Sequence, residues 1–208
     1  MSDSKCKICR RAGEKLFLKG ERCYTPKCAI VRHPTLPGQH GNAKRRRASS
    51  EYGTELREKQ KIRFMYGLTE GQLEKYVAEA QKRKGGVLSD TIVELLERRL
   101  DNAIFRSGFA VSRSIARHLA TYGHMTVNGK PVSIPSYSVS KGDVIGIRAE
   151  SENTPLFAGF SERLAKYEAP AWIKLDKAKK TAEIVGIPTA EGVQFSFDLQ
   201  KVIQYYSR

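Results

Sequence analysis

The sequence has no apolar run approaching the roughly 20 residues that span a bilayer. Its opening residues, Met1-Ser2-Asp3-Ser4, lack the apolar stretch of a secretory signal. Neither a membrane partner nor export is expected, so the compartment is read as cytoplasmic. Patterns that carry common catalysis are missing as well. There is no G-x-G-x-x-G, no G-x-x-x-x-G-K-[ST], no G-x-S-x-G and no H-E-x-x-H, which leaves no nucleotide cradle, nucleophile elbow or zinc-protease pair. No catalytic residue and no small-molecule substrate is expected. A third absence is of acid. Residues 22–50 and 102–142 contain no Asp or Glu, although they hold seven and five Lys or Arg.

What is present gives that last absence its meaning. The 208 residues include 37 Lys or Arg against 22 Asp or Glu, a formal net charge of +15. Residues 1–50 alone carry 13 basic and 3 acidic groups, whereas residues 51–110 are nearly balanced at 11 and 10. A carboxylate beside a phosphate track would repel it, so acid-free basic stretches point to a polyanionic partner.

Cysteine is confined to the start of the chain, at Cys6, Cys9, Cys23 and Cys28. The spacing is C-x2-C, thirteen residues, then C-x4-C. In a reducing compartment disulfides are disfavoured, and two close thiolate pairs across a short loop suit a tetrahedral structural metal site. Zinc is the expected occupant, with an iron–sulfur cluster on the same four thiolates as the alternative. His33 and His40 follow closely, but four cysteines already complete the shell. The surrounding segment is polar and broken by Gly13, Gly20, Pro26, Pro34, Pro37, Gly38 and Gly41. Metal binding would supply the folding energy it lacks.

Hydrophobic periodicity organises the rest. A helix is expected from Tyr52 to Met65, closed by Gly67, and a second follows the Thr69-x-x-Gln72 capping box. A longer helix should run from Ser89 to about Ser107, burying Val93, Leu96, Leu100, Ala103 and Ile104, with Gly108 as its stop. Ser112 caps a short helix with Ile115, Leu119 and Tyr122 facing inward. Strands are expected at His124–Val127 and Lys130–Ile134 around an Asn128-Gly129 turn, with Pro131 marking an edge. Another strand spans Val144–Arg148, residues 155–167 read as helical, and residues 172–175 and 181–187 read as strands. The tail Val202-Ile203-Gln204-Tyr205-Tyr206 is apolar enough to dock. The fold class is α+β.

The 112–122 helix and the hairpin after it form the most suggestive constellation. Arg113, Arg117 and Thr121 recur at four-residue spacing and should line one outward face, with His118 beside them. His124, Asn128 and Lys130 continue the surface without an intervening acid. A basic helix face extended by a polar turn can lie along an RNA backbone.

The stretch Arg99-Leu100-Asp101-Asn102, Arg106-Ser107-Gly108-Phe109-Ala110-Val111-Ser112-Arg113, Ala116-Arg117, Gly123 to Gly129, Pro135-Ser136-Tyr137 and Gly142-Asp143 resembles the small RNA-binding module named after bacterial ribosomal protein S four. That module also occurs in RNA-modifying enzymes, but residues 1–96 are too short and too basic for a catalytic domain. A zinc-dependent DNA-binding regulator would need a helix directly after the metal clip, where Pro34, Pro37 and Gly38 stand. Leu18 to Cys23, Pro37-Gly38-Gln39-His40-Gly41, Leu56 to Lys61 and Tyr205 to Arg208 are similar to the ribosomal protein family itself. The cysteines match its metal-binding branch.

The resemblance implies a metal-binding basic extension over 1–50 and a helical domain over 51–96 completed by 199–208. It also implies an inserted α/β domain over 97–198 carrying the module at about 99–160. It further implies binding to the 5′ domain of small-subunit 16S ribosomal RNA at a multi-helix junction, early in assembly. Implied neighbours are small-subunit protein five and mRNA where it enters the subunit, with effects on translational accuracy. Module contacts implied are Arg113, Arg117 and Lys130, with His118, His124 and Asn128 from the residue pattern. Junction contacts are Arg10, Arg11, Arg22, His40 and Arg45, Arg46 and Arg47, joined by Lys19 and Lys44.

Overall fold

The computed structural model describes residues 4–41, 50–83, 85–152, 154–157, 159–189 and 197–207. Helices in chain order are α1 (Lys5–Ala12), α2 (Ala29–Arg32), α3 (Glu51–Tyr66), α4 (Glu70–Lys82), α5 (Leu88–Glu97), α6 (Leu100–Arg106), α7 (Arg113–Thr121), α8 (Phe160–Ala165) and α9 (Leu199–Tyr206). Strands are β1 (Met125–Val127), β2 (Lys130–Pro131), β3 (Val144–Ile147), β4 (Ile173–Asp176) and β5 (Thr181–Ile184). None of the described helices is long and apolar enough to cross a membrane. The chain divides into two compact units, one of Met1–Gly85 with Phe195–Arg208 and one of Gly86–Gln194. The second interrupts the first. The division falls at Gly85–Gly86, whereas the sequence suggested 96–97, so α5 belongs to the inserted unit.

In the helical unit, α3 begins where the Ser50 side chain accepts from the Gly53 N–H, and it ends at Gly67 in the left-handed region. Thr69 and Gln72 complete their capping box at the start of α4. The face that α3 buries is partly ionic: Glu58, Lys59 and Lys61 are all buried. Burial of charge is tolerable only with partners. Lys59 reaches Glu70 at 2.6 Å, and Lys61 reaches Glu58 at 2.8 Å and Glu14 at 2.7 Å. Helix α9 docks on α3 and α4 with Val202 fully buried. Lys59 Nζ sits 4.4 Å from the Tyr205 ring centroid, and the Tyr206 hydroxyl donates to Glu70 at 3.0 Å. The apolar tail therefore docks as its composition indicated.

The inserted unit packs α6, α7 and α8 with an antiparallel sheet of order β2-β1-β3-β5-β4. Leu100, Ile104, Phe109, Leu119, Met125, Ile145, Leu164, Trp172 and Ile184 build its core. The hairpin turn has positive φ at both Asn128 (52°) and Gly129 (77°), the requirement of the two-residue turn this dipeptide favours. Strand β2 lies at the edge and is shorter than expected, ending at Pro131. The segment expected to be helical over 155–167 is a 3-10 turn, Pro155–Phe157, followed by α8.

The single helix expected from Ser89 to Ser107 is two helices. At Arg99 the backbone turns extended (φ −65°, ψ 138°) and bridges Ser138. The Leu100 and Asp101 N–H groups donate to the Tyr137 and Pro135 carbonyls at 2.8 and 3.1 Å, and Val139 N–H donates to Arg98. Apolar periodicity continues across the break because both helices bury the same face type, so the pattern alone does not reveal it. What breaks the helix is a distant backbone pairing partner, Ser138.

Candidate nucleic-acid interface

Helix α7 is rotated relative to its sequence reading. Its buried residues are Ala116, Leu119 and Ala120, while Ile115 is 41% exposed and Tyr122, directly after the helix, is 69% exposed. Arg113 and Arg117, expected to face outward, instead turn towards α6. Arg113 Nε donates to Asn102 Oδ1 at 2.8 Å and its guanidinium lies 4.6 Å from the Phe105 ring centroid. Arg117 donates to Asp101 Oδ2 through Nε at 3.0 Å and Nη2 at 2.6 Å.

The cause is a pair of buried carboxylates. Glu97, with 0% exposure, accepts from Asn102 at 2.9 Å and from Arg106 at 2.8 and 3.0 Å, with Arg113 3.8 Å away. Asp101 accepts from Arg99 at 3.1 and 2.9 Å as well as from Arg117. A buried carboxylate without counter-charge costs several kcal/mol, and four arginines supply it, Arg99 and Arg106 at the two ends of α6 and Arg113 and Arg117 on α7. Asp101 is thus paired with two arginines. The face left to solvent holds Ile115, His118 and Tyr122, three and four residues apart. His118 stacks on Tyr122 with ring centroids 6.0 Å apart and planes at 11°.

The hairpin divides into committed and open groups. Asn128 Nδ2 donates to Asp143 Oδ1 at 2.8 Å, and its Oδ1 accepts from the Val144 N–H at 2.9 Å. Its side chain therefore locks β1 to the start of β3, where the sequence suggested an RNA contact. Asp143 also accepts from the Ser140 N–H at 2.7 Å and so shapes its turn. His124 is half-buried, its Nδ1 2.9 Å from Ser151 Oγ, and its ring lies 6.4 Å from that of Tyr122. Lys130 is exposed.

In the helical unit, α1 carries Cys6, Cys9, Arg10 and Arg11. Arg10 is a staple: it donates to the Thr35 carbonyl at 2.7 Å and the Leu36 carbonyl at 3.2 Å. Arg11, Lys19, Arg22 and His40 are exposed. Arg22 reaches the Lys27 carbonyl at 3.3 Å. Arg11 and Arg57 line a largely apolar groove of about 330 Å³ between α1 and α3, with Ile8, Leu56 and Phe64. Lys44, Arg45, Arg46 and Arg47 lie outside the described residues.

All four cysteines line one small cavity of about 20 Å³, together with Lys5 and Lys19. Cys9, Cys23 and Cys28 are buried, and all four are free thiols. Burial, then the neighbouring cysteines, push the Cys9 thiol up against a backbone hydrogen bond at Leu16. Burial and the adjacent Lys19 charge hold the Lys5 ammonium below its usual range. Helix α1 and the Gly20–Cys23 turn thus bring the two pairs together as the spacing suggested. Among the described residues, however, no group of three or more His, Cys, Asp or Glu is arranged to hold a metal ion. His33 and His40 are exposed and stand outside the cavity lining.

Two groups escaped the sequence reading. Glu97 carried no signal beyond its place on a helix. Tyr122 did carry one, since it follows Ile115 by seven residues and His118 by four, but it was assigned inward with Ile115.

Residues 1–97 match the family model described as the ribosomal protein S4/S9 N-terminal domain, and residues 98–145 match that of the S4 domain. The chain is 44% identical over 207 residues to small ribosomal subunit protein uS4 of Ruminiclostridium cellulolyticum, covering 100% of this chain and 98% of that protein. It is 46% identical to the uS4 protein of Oleidesulfovibrio alaskensis and 45% identical to that of Solidesulfovibrio magneticus, with the same coverage.

Proposed function

The chain belongs to the uS4 family of small ribosomal subunit proteins, and from that premise we propose that it binds small-subunit ribosomal RNA as a structural constituent of the ribosome in the cytoplasm. The observation that carries this is coverage: the relatives match from end to end, through the helical unit and the inserted module together. A structural role accounts for a chain whose most elaborate polar constellation, around Glu97 and Asp101, is internal scaffolding.

In finer detail, the RNA partner is the 5′ domain of 16S ribosomal RNA at a multi-helix junction, and binding nucleates subunit assembly. Protein five and mRNA, where it enters the subunit, are neighbours, which gives the protein a part in translational accuracy. These statements rest on the residue resemblance and on the charge distribution. Arg106, Arg113 and Arg117 are taken up by the Glu97 and Asp101 carboxylates, but Lys19, Arg22, His40, His118 and Lys130 stand exposed along the two acid-free stretches or beside them. Binding by phosphate contacts releases counterions, so log K falls linearly with log salt. Titration of small-subunit ribosomal RNA should give an affinity that drops by several decades per decade of salt, as about five or more phosphate contacts require. A flat salt response contradicts phosphate-led binding.

The cysteine cavity is proposed as a structural metal site of the kind found in the metal-binding branch. Its donor chemistry fits a soft cation: four sulfurs from two sequence-distant pairs line one small cavity, and burial, then the neighbouring cysteines, raise the Cys9 thiol. Cys6, Cys9, Cys23 and Cys28 would hold the ion, zinc first and an iron–sulfur cluster second. The group would contribute folding energy to residues 4–41 and no reaction chemistry.

A further inference from the structure

We propose that the outer face of α7, formed by Ile115, His118 and Tyr122 and continued by His124, is a stacking platform for one unpaired nucleobase of the bound RNA. Tyr122 is the residue that receives the base. The inference rests on the ribosomal-RNA reading and adds to it a contact that is neither a phosphate nor a cation.

Four observations carry it. Tyr122 is 69% exposed and Ile115 is 41% exposed, an unusual outlay of apolar surface on a helix whose neighbouring arginines are folded inward. The His118 ring lies nearly parallel to Tyr122 at 11°, so two aromatic planes are already set in one orientation. His124 closes the side of the platform, and its ring is held by Ser151. Finally, the whole stretch 102–142 is free of carboxylates and includes the exposed Lys130. A flat aromatic surface on a stretch of chain that holds an exposed lysine and no acid matches an aromatic base on a polyanionic backbone. An acidic or neutral protein partner would leave the parallel ring arrangement without a purpose. Bases within an A-form duplex are already stacked and out of reach, so the target is a nucleotide in a loop, bulge or junction.

The test compares full-length wild type with Tyr122→Leu and Tyr122→Phe in binding to small-subunit ribosomal RNA across a salt series. Loss of one base stack should weaken the Leu variant about tenfold with an unchanged salt slope. The Phe variant should stay within about twofold, because the ring face is what matters. Chemical probing should show one unpaired nucleotide becoming reactive in the Leu complex. The exposed position makes a folding defect unexpected, and circular dichroism of the variants checks this. If wild type binds and Tyr122→Leu binds equally well, the stacking platform is wrong while the RNA reading stands. If wild type fails to bind, the RNA reading itself fails. If Tyr122→Leu binds naked RNA normally yet is lost from assembled particles, the face docks a protein and the inference is overturned.

Discussion

Replacing Asp101 by Asn tests whether the carboxylates of the inserted unit organise it. The side chain is 5% exposed and accepts from two guanidinium groups, those of Arg99 and Arg117, whose side chains are 4% and 33% exposed. Asn keeps the shape but removes the charge, leaving Arg99 buried beside a neutral amide. Breaking a buried pair in this way costs about 3–5 kcal/mol. The Arg117 share is screened because that side chain can swing into water, which places the expected loss near the lower end, about 3 kcal/mol. With a urea slope of roughly 2 kcal/mol/M, the unfolding midpoint should fall by about 1.5 M. The chain has one tryptophan, Trp172, buried in the core of this unit, so its fluorescence reports unfolding there. Arg117→Ala leaves Asp101 with both Arg99 bonds and should cost only about 1 kcal/mol. A midpoint shift under about 0.5 M for Asp101→Asn, or equal shifts for the two variants, would refute the account.

The remaining predictions concern the helical unit. Burial alone would raise the Glu70 carboxyl, but hydrogen bonds from Lys59 and Tyr206 and the charges of Lys59 and Arg63 hold it below its usual range. A depressed folded pKa contributes stability that is present above the unfolded value, about 4.3, and is lost as pH falls through the lower folded value. Hydrogen-exchange protection of α9 should therefore decline below about pH 4, and constant protection down to pH 3 would remove Glu70 from the docking of the tail. Chelation should loosen residues 4–41 and leave the Trp172 signal of the inserted unit native. Metal analysis that finds neither zinc nor iron in protein purified without chelator would end the metal proposal.

Most element positions were legible because their signals are local. The Thr69–Gln72 capping box, the Gly67 stop, the Ser112 cap and the Asn128-Gly129 turn each depend on residues within four positions, and each forms as read. The break between α5 and α6 was not legible. Its cause is a set of backbone hydrogen bonds to Pro135, Tyr137 and Val139, and a hydrophobic pattern has no term for a partner that distant. Helix α5 looks like a continuation of the helices before it, yet its last residue, Glu97, is tied by side-chain bonds to Asn102 and Arg106.

The site illustrates a sharper ambiguity. Along α7 the residues Arg113, Ile115, Arg117, His118, Leu119 and Tyr122 permit two rotations, one burying Ile115 and Tyr122 and the other burying the arginine heads. Hydrophobicity favours the first, and a search for phosphate donors favours it too, because it turns the arginines to solvent. The second wins because Asp101 and Glu97 are already inside and require counter-charge that α7 is best placed to supply. Removing both Arg113 and Arg117 would thus disturb the packing of α6 against α7 together with any RNA contact, and a loss of affinity in that double variant could not be assigned to the interface. Substitutions at His118, Tyr122 and Lys130 separate the two effects, since these side chains are exposed and none of them stands in the carboxylate network.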